Sequence, residues 1–580
     1  MKVLLLQPED GPEAIARGRW DLVVDLARAP RASYERWSAQ YGCRVISLYD
    51  FAEEIHDLER TRNLLQLGMG RLVDEAGVDW WDVLSLLVAS ELQLVLLAQR
   101  LTKELGSSPD LYASGRSATV DATQTLLAQT VTYTNSNRSA LFRGARRRLR
   151  AFAELDTTQL AQVLQDKFDS NHVIRRRIAR RHQGNGHDVI LLPTAYVNVT
   201  RAAMALAARL PERHFLLVWA RASARVPSMP ANVTGCSLDA YFLAERSEET
   251  GTLLSGWTGL KKTLMDASPE MRVAAASGIL DSITVRLRWG LGVRNAWLGV
   301  LDSENISGCI CADDSNPYSR LPLILAKNRG LPTLACHHGA LDFRMAIKRQ
   351  HADHYLAKSP MERDYLRRVC RLSADQVVDY GAGGAASSGD TSSDAEQAAS
   401  KSWMVFFTEP YAVQGWRREE VYRDFLPELL RVAGRCGLKL VFKLHPFESV
   451  NGHRRMLRRL LGHKECLRIR IIGGAPEPQV WKNTRVALTV QSSVALECAM
   501  RRIPVFLCGW LRDPYTGYVP QFARFGVGRV LESAREMDAI PSSLAHHEIP
   551  DGEACSFASD PEILRAVLAG NWALPRAAGA

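Results

Sequence analysis

The sequence predicts an α/β protein of two doubly wound domains facing across a cleft, with a helical insertion in the N-terminal half. Three observations predict it. Short β-branched or Leu-rich runs alternate with ten-to-fifteen-residue helical patterns from Asp188 to Ala357, the pattern of a parallel sheet with helices on both faces. The same alternation resumes after residue 402. Between the two lies Gly381–Ser402, GAGGAASSGDTSSDAEQAASKS, which has no large apolar residue to give to a core and reads as a flexible linker. The expected domains are 1–380 on the acceptor side with the insertion at about 51–181, the linker 381–402, a nucleotide-binding domain over 403–535, and a partly helical tail over 536–580.

In chain order, Val3–Leu6, Leu22–Leu26 and Arg44–Leu48 are strand candidates. Phe51–Leu105 turns helical and holds the tandem Trp80–Trp81, which reads as packing, and Asp121–Arg181 is helical and polar. The second series has strands at Asp188–Leu192, His214–Trp219, Gly308–Ala312, Pro332–Cys336 and His354–Ala357, with helices at Val199–Leu210 and Arg320–Arg329. The third has strands at Val405–Thr408, Lys439–Leu444, Arg468–Ile472, Ala487–Val490 and Pro504–Leu507, with helices near Glu419–Arg435 and Val494–Met500.

Of 580 residues, 46% are hydrophobic and 23% charged, which excludes a disordered or fibrous chain. The apolar run after Lys2 is too short for a secretory signal. Asp82, Glu91 and Gln93 break the best membrane-span candidate, Trp80–Leu101. The eleven cysteines show no CxxC pair, so neither a disulfide framework nor a zinc site is expected, and a reduced, cytoplasmic protein is. The net charge of +10 is uneven: residues 143–182 hold ten Arg and Lys167 against four acids, and Arg454, Arg455, Arg458, Arg459, Arg468 and Arg470 form a second cluster. No aromatics are interleaved with RGARRRLR, so nucleic acid is not expected. Arg143–Arg181 reads as a solvated helix face or as a contact for an anionic membrane surface.

Ligands of open parallel sheets bind beyond the carboxyl ends of the strands, which selects three segments. In Cys336-His337-His338-Gly339-Ala340-Leu341-Asp342 a strand-end His is a candidate general base, Asp342 could orient it, and Gly339 permits a sharp turn or a close ligand. In Lys443-Leu444-His445-Pro446 the proline stops the strand, and Lys443 and His445 can donate to phosphate oxygens. In Gln491-Ser492-Ser493-Val494-Ala495-Leu496-Glu497 the serine hydroxyls and helix-start N–H groups suit a phosphate, or serve as a plain N-cap. No Asp-x-Asp and no GxxxxGK[ST] loop occurs, so neither a metal-bridged diphosphate site of that type nor a P-loop is expected. His351 and His354 read as structural.

The order HHGALD, KLHP, QSSVALE resembles the GT-B-fold transferases of bacterial surface-polymer synthesis: capsule polysaccharide biosynthesis proteins, polysialyltransferases and CDP-glycerol glycerophosphotransferases. The resemblance covers about residues 300–510. It implies two Rossmann-like domains, with the nucleotide on the C-terminal one. It also implies His338 as catalytic base, His445 as a contact to the donor phosphate, Ser492 and Ser493 at the donor phosphates, and Glu497 as a ribose- or sugar-binding carboxylate. The glycerophosphotransferases typically have an aromatic or polar residue before His-Gly. Here it is His337, so either His337 or His338 could act.

The function implied is transfer of a sugar or polyol phosphate from a nucleotide-activated donor to a surface-polysaccharide or glycolipid acceptor, with no cofactor and no metal. Two alternatives stand beside it: a UDP-sugar 2-epimerase of the same fold, and a non-catalytic Arg-rich protein that binds membrane or nucleic acid. The place implied is the cytoplasm, with peripheral contact to the inner face of the membrane.

Overall fold

A computed structural model describes residues 1–134, 187–381, 401–545, 557 and 560–570, apart from 107, 227, 243–246, 340, 342, 413, 446–447, 475–476, 514 and 516–517. Arg143–Arg181, Asp342, Pro446 and nearly all of the expected linker lie outside the described residues.

The α/β class is as predicted, but with three parallel sheets. The first holds β1 (Lys2–Leu6), β2 (Leu22–Asp25), β3 (Arg44–Ser47), β4 (Asp110–Ala113) and β5 (Thr132–Tyr133), in the order β3-β2-β1-β4-β5. The second holds β6 (Val189–Thr194), β7 (His214–Trp219), β8 (Val233–Ser237), β9 (Ile306–Cys311), β10 (Thr333–Ala335), β11 (His354–Ala357) and β12 (Val377–Asp379). Its order is β12-β11-β10-β9-β6-β7-β8. The third holds β13 (Trp403–Phe407), β14 (Lys439–Lys443), β15 (Arg470–Ile472), β16 (Thr484–Thr489), β17 (Val505–Cys508) and β18 (Arg529–Leu531), in the order β15-β14-β13-β16-β17-β18. In each sheet the chain starts centrally, winds outward over three strands, then crosses back to the other side of the first. That is the Rossmann order, with a reversal point where ligands bind. The reversals lie between β1 and β4, β6 and β9, and β13 and β16.

Strands covered on both faces read as unbroken apolar runs. β13, WMVFF, is buried at all five positions, and β6, VILLPT, at all six. Phe406 stacks on Phe425 of the helix Arg418–Arg435 at 4.6 Å. In the second sheet Ile190, Leu192, Leu217 and Ile310 share one core with Leu564 and Val567 of the tail helix Pro561–Leu568.

The expected single domain over 1–380 carries two separate sheets. The chain forms two compact units: Met1–Asp57, Gln93–Leu160 and Ala385–Cys555 in one, Leu58–Leu92, Ala161–Gly384 and Ser556–Ala580 in the other. The first unit holds the first and third sheets. The expected helical insertion is interrupted, because β4 and β5 extend the first sheet from β1. Both strands are too short, four and two residues, to show a period in the sequence. No single helix among the described residues is long and apolar enough to cross a membrane; Trp80–Leu87 and Ala89–Leu105 form a pair bent by 60°. The tandem tryptophans are packing: both are fully buried, and Trp81 stacks on Trp257 at 5.8 Å.

Arg417 ties the first sheet to the third. Its guanidinium donates to both Asp25 oxygens (2.8 and 2.6 Å), to the Gln7 carbonyl (3.0 Å) and to the Asp10 carbonyl. Gln7 also donates to the Gly115 carbonyl (2.7 Å), and Ser114 to Asp10 (2.6 Å). The reversal point of the first sheet is thus filled by the protein itself.

The Arg417 and Asp25 side chains are 7% and 0% exposed, so truncating one leaves the other buried without its partner. Arg417→Ala is expected to cost about 3–5 kcal/mol in chemical denaturation. Arg31→Ala, which breaks the exposed pair with Glu35, should leave the midpoint unmoved.

Candidate functional site

The described candidate residues fall at the carboxyl edges of the second and third sheets. In the second, β9 and β10 are hydrogen-bonded neighbours, and the chain leaves them through Asp313-Asp314 and His337-His338-Gly339. The two aspartates part company. Asp314 turns inward to an ion pair with Lys348, and Arg320 stands 3.7 Å away. Arg320 in turn pairs with fully buried Asp82 at 2.8 Å, and His351 binds the other Asp82 oxygen, which makes His351 structural. The two partners hold the Asp82 carboxyl down at about 2 although burial works against its charge.

Asp313 faces the histidines. Its Oδ1 accepts from the Ser315 N–H at 2.9 Å, and its Oδ2 lies 3.9 Å from His338 Nδ1. The His337 and His338 rings stack at 5.0 Å. The Gly339 N–H donates to His337 Nδ1 at 3.3 Å, and Lys358 donates to the carbonyls of His337 (2.7 Å) and Gly339 (3.3 Å). His338 Nδ1 is buried and has no hydrogen-bond partner among the described residues. Burial, then the neighbouring His337, lower the His338 pKa to about 4 against the pull of Asp313, so the ring is neutral at pH 7. Gly339 lies in a bend of the backbone without a positive φ, and a Cβ there would meet nothing within 4 Å among the described residues.

In the third sheet β14, β13 and β16 end side by side. Lys443 is buried and donates to the carbonyls of Leu444 (3.0 Å) and Gly474, so it organises the two loops. Burial lowers its pKa to about 8. Half-buried His445 is lowered to about 4 by burial and then by Lys443. Its backbone N–H donates to the Thr408 hydroxyl at 3.0 Å, and Thr408 donates to Glu448. At the helix Val494–Met500, Ser492 Oγ accepts from the Val494 N–H at 3.3 Å, while Ser493 makes no side-chain cap. The Gln491 N–H is held by buried Glu409 at 2.6 Å, so that donor of the turn serves the loop. Glu497 lies in the first turn of the same helix, 3.7 Å from Arg501.

Lys443 and His445 thus flank the β13 exit on one side and Ser492 and Ser493 on the other, while His337 and His338 stand on another sheet. Asp313, Thr408, Glu409 and Glu448 were not singled out from sequence. The strand-end rule could have found Asp313 in CADDSN and Thr408-Glu409 in FFTEP. Glu448 follows a loop whose path the sequence does not show.

No protein-family model matches the chain, and no curated protein matches it. Among solved structures it is similar to the UDP-GlcNAc 2-epimerase of Neisseria meningitidis bound to UDP-GlcNAc, at 12% identity over 66% of this chain and 100% of that one, TM-score 0.39. The epimerase of Methanocaldococcus jannaschii in complex with UDP-GlcNAc and UDP gives 11%, 66%, 99% and 0.38. A variant of the wall teichoic acid polymerase TagF gives 9%, 72%, 98% and 0.38.

Burial raises the Glu448 pKa to about 7, partly offset by the Thr408 hydroxyl. The folded protein therefore keeps a proton that the unfolded chain has lost, and stability is lost as pH rises from about 4.5 to 7. Glu448→Gln removes that dependence and keeps an acceptor for Thr408. Its melting temperature relative to the parent should be higher at pH 8 than at pH 5, by the equivalent of about 2–3 kcal/mol. An equal difference at both pH values would count against it.

Proposed function

We propose that the chain is a glycosyltransferase-like enzyme that moves a sugar, or a polyol phosphate, from a nucleotide-activated donor to a surface-polysaccharide or glycolipid acceptor. The observation that supports it most is a neutral His338 beside the Asp313 carboxylate, at the ligand-binding edge of a Rossmann-order sheet. On this reading the donor belongs to the third sheet. His445 and the Ser492 and Ser493 hydroxyls meet its phosphates, Lys443 lends its charge from behind, and Glu497 takes a sugar or ribose hydroxyl.

From a sugar donor, the acceptor hydroxyl attacks the activated carbon, and the bond from that carbon to the leaving phosphate oxygen breaks. From a polyol phosphate donor, it attacks the outer phosphorus, and the bond from that phosphorus to the nucleotide's phosphate oxygen breaks. In either case the hydroxyl proton passes to the His338 lone pair, and the phosphate-binding groups stabilise the charge that develops on the leaving phosphate. Burial keeps His338 neutral but also makes it a weak base. Asp313, at 3.9 Å, offsets that by stabilising the imidazolium as it forms.

A thermal-shift panel of CMP, CDP, UDP and GDP on the full chain tests the donor assignment, because a bound nucleotide raises apparent stability. One of the pyrimidine nucleotides should shift the parent and shift His445→Ala less. His338→Ala is expected to lose about 10²–10⁴-fold in turnover with nucleotide affinity kept. An active His338→Ala beside an inactive His337→Ala would move the proton to the other ring. Conversion of a UDP-sugar without acceptor would make the chain a 2-epimerase instead.

A further inference from the structure

We propose that Asp313, His337 and His338 form a binding site for one divalent transition-metal cation of the zinc class. One donor atom from each of the three side chains lies within 4.8 Å of the other two. Two imidazole nitrogens and one carboxylate oxygen are a donor set that suits a borderline-soft divalent cation, and three protein ligands leave a position open. The spacing is set by the sheet. Asp313 follows β9 and the histidines follow β10, and Thr333–Ala335 pair in register with Cys309–Cys311. Adjacent strands lie about 4.8 Å apart, so the two strand exits deliver their side chains to the same place.

The surroundings suit a cation. His338 Nδ1 is buried with no hydrogen-bond partner among the described residues, a polar atom that a cation would satisfy. Asp313 is steadied by the Ser315 N–H at 2.9 Å and by Asn316 Nδ2 at 3.4 Å, as ligating carboxylates commonly are. The two ammonium groups nearby are each paired, Lys358 with Glu362 at 3.1 Å and Lys348 with Asp314. A cation would compete with the long bond from the Gly339 N–H to His337 Nδ1.

If His338 is the base of the transfer proposed above, cation and proton use the same imidazole, and a bound cation inhibits. That consequence rests on the transferase reading; the binding does not. Full-length protein stripped with chelator is titrated calorimetrically with zinc chloride, and in parallel with cobalt chloride followed by visible absorption. The parent should bind one cation, with cobalt bands of nitrogen and oxygen ligation and no thiolate charge transfer. Asp313→Asn, His337→Ala and His338→Ala should each weaken binding about tenfold or more, with unchanged circular dichroism. His338→Gln replaces any His338→Ala that does not fold. His445→Ala should bind as the parent does. A folded parent that binds no cation, or three variants that bind it equally well, overturns the site. Nucleotide shifts without cation binding would sink this inference alone, and cation binding without any nucleotide shift would sink the transferase reading alone.

Discussion

Parallel strands deliver all their carboxyl ends to one edge of a sheet, and that constraint decides where this protein can hold polar chemistry. The strands themselves are apolar on both faces, as β6 and β13 show, so charged and hydrogen-bonding side chains collect where each strand stops. The chain repeats the arrangement three times. In the first sheet the edge is closed by Arg417, Gln7 and Asp10. In the other two it carries the histidines, lysine and serines on which a functional reading can rest.

Buried charge is the device that holds these edges in shape. Asp82 and Arg320 are both fully buried and bind each other, and Arg320 and Lys348 both face Asp314. Asp313, the residue just before it, points to the histidines. Just beyond the end of β9, one aspartate anchors the loop and the other is presented. The third sheet uses hydrogen bonds for the same end: Thr408 joins the His445 backbone to Glu448, and Glu409 holds the turn at Gln491.

The histidines show how environment sets chemistry. His338 and His445 each have a pKa lowered to about 4, with burial the larger cause in both. A neutral ring can take a proton or coordinate a cation, and it donates one hydrogen bond rather than two. His338 differs in having a carboxylate 3.9 Å away. His445 has Lys443 as its charged neighbour, which opposes protonation further.

The α/β class, most strands of the second and third sheets, and the three strand-end segments were legible in the sequence, because apolar runs and their spacing are local properties. His214–Trp219, His354–Ala357 and Val494–Met500 have the bounds their residues suggest. β4 and β5 were not legible, since strands of four and two residues exist only through their pairing with the strands beside them. Nor was the union of the first sheet with the third, in which Arg417 meets Asp25 across 392 residues of chain. The sequence by itself determined which residue types stand at the strand ends. Tertiary structure decided what each one faces: Glu409 taking the Gln491 N–H, Asp314 turning in, Asp313 turning to His338. Those choices depend on burial and on partners distant in the chain, and a desolvated charge takes whichever partner the fold brings within reach.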